Sequence, residues 1–125
     1  MAAQRNYAVS TTALSLTASG TTIDSGNTQA SSFTLARTIK RTGISAGELS
    51  SGTLTWSIHY VISATTGNYA MRLKLQRLDS SAVMQSESSY GQTVTATGTY
   101  DDNLSWDSGT WNANDQLALI WEHYR

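Results

Sequence analysis

The stretch "TLTWSIHYVI", Thr53 to Ile62, alternates in polarity almost without a break, and a period of two excludes a helix there. Leu54, Trp56, Ile58, Tyr60 and Ile62 fall on one face, and Thr53, Thr55, Ser57, His59 and Val61 on the other. Successive side chains of a strand point to opposite faces, so the first row is predicted to meet a core and the second to meet solvent. The pattern returns in "NYAMRLKLQRL", with Tyr69, Met71, Leu73 and Leu75 inward and Arg72, Lys74 and Gln76 outward. Only "SATTG" separates the two segments, which read as a hairpin. No window repeats apolar residues at i, i+3, i+4 and i+7 over three turns, so no helix is expected.

Six further strands are predicted: "TALSLT" (Thr12 to Thr17), "SFTLARTI" (Ser32 to Ile39), "AVMQSESSY" (Ala82 to Tyr90), "QTVTAT" (Gln92 to Thr97), "YDDNLSW" (Tyr100 to Trp106) and "QLALIWEHY" (Gln116 to Tyr124). The breaks "ASGTTIDSGN", "RTGISAGELSSG", "LDSS", "ATG" and "WDSGTWNAND" carry Gly, Asn, Asp and Ser, which make turns in a chain without proline. The fold class is therefore all-β: an antiparallel β-sandwich of about eight strands, with a jelly roll as the expected form and an immunoglobulin-like sandwich as the alternative. Residues 1–125 read as one domain, and residues 1–10, which carry little pattern, as an N-terminal arm.

Ser and Thr supply 36 of the 125 residues and charged residues only 14%, which suits strands with hydroxyl-rich outer faces. There is no cysteine, so stability cannot rest on disulfides. Eight basic residues balance nine acidic ones, and "RTIKR" (Arg37 to Arg41) is the one local basic cluster, read as the solvated start of a loop. A chain without a basic face is not expected to bind nucleic acid. No stretch approaches the roughly 20 apolar residues of a membrane helix. The N-terminus lacks the apolar core of a secretory signal, so synthesis in a cytoplasm is expected.

Catalytic signals are thin. His59 and His123 lie far apart in sequence, and no G-x-S-x-G occurs. Asp101 and Asp102 are neighbours in a strand and so point to opposite faces, which is poor geometry for an acid/base pair. Asp107 and Asp115 flank "SGTWNAN" and read as turn residues, since EF-hand spacing is absent. Without Cys or a His pair, zinc is not expected either. Neither enzyme activity nor a cofactor is predicted. "NLS" at Asn103 to Ser105 matches the glycosylation pattern inside a predicted strand and is read as chance.

Trp56, Trp106 and Trp121 each sit in register with Leu or Ile and are expected in the core. Trp111 lies in a loop, either as a plug over the core end or as an exposed contact. In the second case Trp111, Asn112 and Asp107 would form a platform for a sugar ring or a partner protein.

The second half, "YAMRLKLQRLDSSAVMQSESSYG…GTYDDNLSWDSGTWNANDQLALIWEHYR", resembles small β-sandwich virion proteins of tailed bacteriophages. A strand of the "MRLKLQRLDSSAVM" kind, a "GTY…LSW" strand and a last strand after "GTWNANDQL" carry the resemblance, over about half the chain. It implies a structural capsid decoration (cement) protein in the virion, without catalysis. Such a protein clamps major capsid proteins from outside the head, often as a homo-oligomeric dimer or trimer. Its arm residues, here Arg5, Asn6 and Tyr7, would contact the shell. A carbohydrate- or receptor-binding module of a phage tail or fibre, or of a secreted glycanase, is the alternative, with a glycan as its partner.

Overall fold

A computed structural model describes residues 4–16, 20, 22–26, 31–65 and 67–125. The chain is an antiparallel β-sandwich of eight strands among these residues: β1 (Tyr7–Ala8), β2 (Leu14–Ser15), β3 (Thr34–Ile44), β4 (Thr53–Ile62), β5 (Ala70–Leu78), β6 (Met84–Glu87), β7 (Gly98–Asp107) and β8 (Asp115–Tyr124). A wide sheet has the order β3-β8-β5-β6, a narrow sheet is β4-β7, and β1-β2 is a separate pair. The two larger sheets face each other. Ile44, Leu75 and Leu117 of the wide sheet pack with Leu104 and Trp106 of the narrow one, and Leu54, Trp56 and Ile58 close around them. A second cluster joins Tyr69, Met71, Leu73 and Val94 to Tyr60, Tyr100 and Trp121.

The inward and outward rows of β4 and β5 follow the sequence pattern, but their pairing does not. β4 pairs with β7 over ten residues without a register shift, and β5 pairs with β8 and β6. The segments predicted as a hairpin therefore belong to opposite sheets. Each is apolar on one face, and burying both faces against each other offsets more solvent exposure than pairing edges would. "RTIKR" also departs from its prediction. It lies inside β3, which continues to Ile44 through two register shifts, with Gly43 at φ +69° in the second.

Three predicted strands shrink, and "AVMQSESSY" keeps only Met84–Glu87. "TALSLT" keeps Leu14–Ser15 plus a bridge from Ala13 to Lys40, and its Thr17 lies outside the described residues. "QTVTAT" is no strand. The amides of Ser88 and Gly91 donate to Leu75 and Leu73, and Val94 exchanges both backbone bonds with Met71. Three residues thus advance for every two on β5, so the side chains cannot alternate.

This segment crosses from the wide sheet to the narrow one, and Asp102 anchors it. Asp102 is 4% exposed and accepts from Tyr60 Oη at 3.1 Å, Gln92 N at 3.3 Å and Gln92 Nε2 at 2.7 Å. Burial, with the adjacent carboxylate, pushes the Tyr60 hydroxyl above its ordinary range. A methyl group at Gly91 would overlap the Asp102 carboxylate. Gly91→Ala is expected to cost about 1–3 kcal/mol in urea unfolding, because overpacking forces the crossing segment away from its anchor.

His123 is buried on the inner face of β8, with its Nδ1 unpartnered and Tyr69 edge-on at 5.6 Å. Burial, and then the nearby Arg125 and Arg37 charges, push its pKa down. The unfolded chain then takes up the proton first. Stability is full above the ordinary imidazole value of about 6.5 and is lost as pH falls below it. Melting temperatures across that range are expected to drop on the acid side, and to drop less in His123→Gln.

Candidate functional site

The loop that joins β7 to β8 holds Trp111, Asn112 and Asp107, and folding uses all three. Trp111 is 2% exposed and fills one end of the sandwich, 6.4 Å from Trp56, with its Nε1 donating to Ser108 Oγ at 3.0 Å. The plug form is the one observed, and the ring offers no face to a ligand. Asp107 is exposed, but its Oδ1 accepts the Gly109 amide at 3.0 Å and so makes the turn. Asn112 is exposed too, while its amide donates to Asp115 Oδ2 at 2.8 Å.

Asp115 is itself buried and pairs with Arg77 at 3.1 Å. Arg77 Nε also donates to the Ser108 carbonyl, so one guanidinium ties β5 to the loop and to β8. The sequence pattern missed this, since Arg77 and Asp115 are 38 residues apart.

Asp101 and Asp102 point to opposite faces, as their adjacency requires. Asp102 is the buried anchor, and Asp101 pairs with His59 Nδ1 at 2.8 Å in the open. The outer face of the narrow sheet continues as cross-strand polar pairs. Thr55 Oγ1 meets Ser105 Oγ at 3.1 Å, and Ser57 Oγ donates to Asn103 Oδ1 at 2.8 Å. Among the described residues, no group of three His, Cys, Asp or Glu is placed to hold a metal ion.

The residues proposed for an arm divide. Asn6 Oδ1 and Gln4 Oε1 accept from Arg41 Nη1, and Gln4 Nε2 donates to Glu48, which is ion-paired to Arg41. Burial opposes ionisation of Glu48, but the Arg41 and Gln4 hydrogen bonds hold its carboxyl below the ordinary value. Tyr7 pairs with Ser15 in β1-β2. Asn6 and Tyr7 thus engage the chain's own body, and Arg5 is exposed. Met1 to Ala3 lie outside the described residues.

The outer face of the wide sheet exposes apolar side chains. Leu78, Ala118 and Ile120 form a buried cluster on that side. Leu35 (61% exposed) and Met84 (46%) stand beside it, and an open groove of about 800 Å³ runs between β3 and β6. Lys40, Lys74 and Glu122 also line it, and a stack of aromatics and charge sits against Glu122. The Arg72 guanidinium lies 4.0 Å from the Phe33 ring centroid and 3.6 Å from that of Tyr90. Arg72 also pairs with Glu122 at 2.8 Å, and Glu122 accepts from Tyr90 Oη at 2.9 Å. Lys74 pairs with Glu87 at 2.8 Å, and that hydrogen bond holds the Glu87 carboxyl below its ordinary value. Of the charges that line the groove, Lys74 and Glu122 are thus ion-paired, and Lys40 stands with them.

The signal for this groove was present in the sequence as apolar residues out of phase. Ala118 and Ile120 alternate with the inward row Leu117, Leu119 and Trp121, and Leu78 breaks the phase of Leu73 and Leu75. No family model, curated protein or solved structure matches the chain.

Arg77→Ala is expected to cost about 3–5 kcal/mol, because it leaves the buried Asp115 carboxylate without its partner. Trp111→Ala is expected to cost a similar 3–5 kcal/mol by emptying the plug. Equilibrium denaturation of both variants measures this, and a loss below about 1 kcal/mol would deny the loop its structural role.

Proposed function

We propose that this chain is a non-enzymatic structural protein of a tailed-phage virion, a capsid decoration (cement) protein. It docks on the outside of the head and holds neighbouring major capsid proteins together. The groove on the outer face of the wide sheet carries this reading. Its lining joins exposed Leu35 and Met84 to Leu78, Ala82 and Ile120, and apolar side chains left exposed in a groove are a usual mark of a partner site. Lys74 and Glu122, which line the groove, are held by ion pairs to Glu87 and Arg72, so little of their side-chain freedom is lost on docking. A shell repeats the same partner surface many times, and modest contacts then sum through multivalency. The resemblance of the second half to phage virion proteins supplies the identity of the partner.

The competing reading, a carbohydrate- or receptor-binding module, placed a sugar ring on Trp111. Burial of that ring removes its platform. The test is co-sedimentation with expanded, empty heads of the phage that encodes the chain. Leu35→Asp with Met84→Asp is expected to weaken binding at least about tenfold, roughly 1.4 kcal/mol, with unchanged circular dichroism. Full binding by that double variant would overturn the groove as the docking site.

A further inference from the structure

The narrow sheet is unfinished along one side. β4 has β7 as its sole strand neighbour among the described residues. In an antiparallel pair, alternate residues turn their N–H and C=O groups away from the partner strand. β4 therefore presents a row of unpaired backbone groups over ten residues, in continuous register and with no bulge to twist it away. Natural edges are guarded by charge, proline or short length. This one holds neither Pro, Lys, Arg, Asp nor Glu, and His59 is its one titratable imidazole.

A second observation is independent of the backbone. The inward row of β4 is Leu54, Trp56, Ile58, Tyr60 and Ile62, and every one of these is only half-buried. The matching inward residues of β7, Asp102, Leu104 and Trp106, are buried. On the inner face the exposure runs the whole length of β4, and on β7 it reaches only Gly98 and the half-buried Tyr100. There the sandwich opens into a cavity of about 700 Å³ whose lining includes Ile39, Tyr60, Ile62, Leu119 and Trp121. The β3 and β7 edges each carry a contact from another segment. Lys40 of β3 bonds Thr12, and the segment after β6 runs along β5 and anchors on β7 through Asp102.

We infer that β4 is the interface of a homodimer, in which two copies pair β4 to β4 antiparallel across a twofold axis and merge their narrow sheets into one of four strands. The occupant is a second copy because the edge is complementary to itself. It carries no like charges to repel. A twofold through Ser57 sets Trp56 opposite Ile58 and Leu54 opposite Tyr60, each pair twice. Aromatic residues opposite β-branched or aliphatic ones are favourable cross-strand pairs. On the outer face Thr55 meets His59, which extends the polar pairs already seen on β7. The arrangement is closed, so it ends at two copies and does not propagate into a fibre. It does not rest on the capsid reading, since it uses the opposite sheet from the docking groove.

The test is sedimentation of the full chain over a dilution series, with three variants. The parent is expected to be a dimer that dissociates on dilution. Thr55→Lys with His59→Lys places four cations around the axis on exposed positions. That variant is expected to sediment as a monomer, with the circular dichroism of the parent. Ser57→Cys brings two thiols together at the axis and is expected to form a covalent dimer on oxidation. Asn103→Cys, one strand away on β7, is expected not to. A parent that stays monomeric up to its solubility limit overturns the inference. So does a dimer that survives the lysine pair, or equal cross-linking at Ser57 and Asn103.

Discussion

Neighbouring strands stand about 4.8 Å apart, so a sheet of two strands is roughly half as wide as a sheet of four. Here the narrow sheet β4-β7 must cover the inner face of β3-β8-β5-β6. That mismatch in width governs the rest of the structure. The uncovered core is closed by parts that are not regular strands. On the β7 flank the crossing segment 88–94 inserts Val94 and ties Gln92 to the buried Asp102. At one end Trp111 plugs the gap, held by Ser108 and by the Arg77–Asp115 pair. Beside β3 the chain's first described residues bring Leu14 onto the core. On the β4 flank residues 22–26 line the opening, no strand among the described residues pairs with β4 beyond β7, and its inward side chains remain half-buried.

How much of this could be read in the sequence depends on whether the signal is local. Polarity alternates within a strand, so the faces of β4, β5, β7 and β8 were legible, and with them the sandwich class and the inward tryptophans. Pairing is not local. The polarity of "TLTWSIHYVI" is the same whether it pairs with the next segment or with one far along the chain, as the pairing of Thr53 with Asp107 shows. Strand identity also fails where spacing is irregular, as at Gln92 to Thr97, because three residues spanning two on β5 break the period. The site at Trp111 was undecidable from sequence for the same reason: the ring is buried against Ile44, Leu49, Leu75 and Leu104, which the fold brings in from distant segments.

The two outer faces differ in chemistry. The narrow sheet shows hydroxyl and amide pairs with one His59–Asp101 contact, which accounts for much of the Ser- and Thr-rich composition. The wide sheet shows a groove in which apolar side chains stand among Lys40 and the ion-paired Lys74 and Glu122. A chain with so few charges keeps its surface potential low, and association through apolar and backbone contacts meets little repulsion. One sheet then suits docking on a partner and the other, through its free edge, suits self-pairing.

Backbone hydrogen exchange along β4 probes the unfinished flank most directly. Amides of β7 that bond β4, and those of β8 between β3 and β5, serve as internal references for full pairing. At low protein concentration the alternate β4 amides that point away from β7 are expected to exchange quickly. They are expected to become protected as concentration rises and copies pair. Slow exchange of every β4 amide at all dilutions would contradict an open edge, and would mean that the narrow sheet is already complete within a single chain.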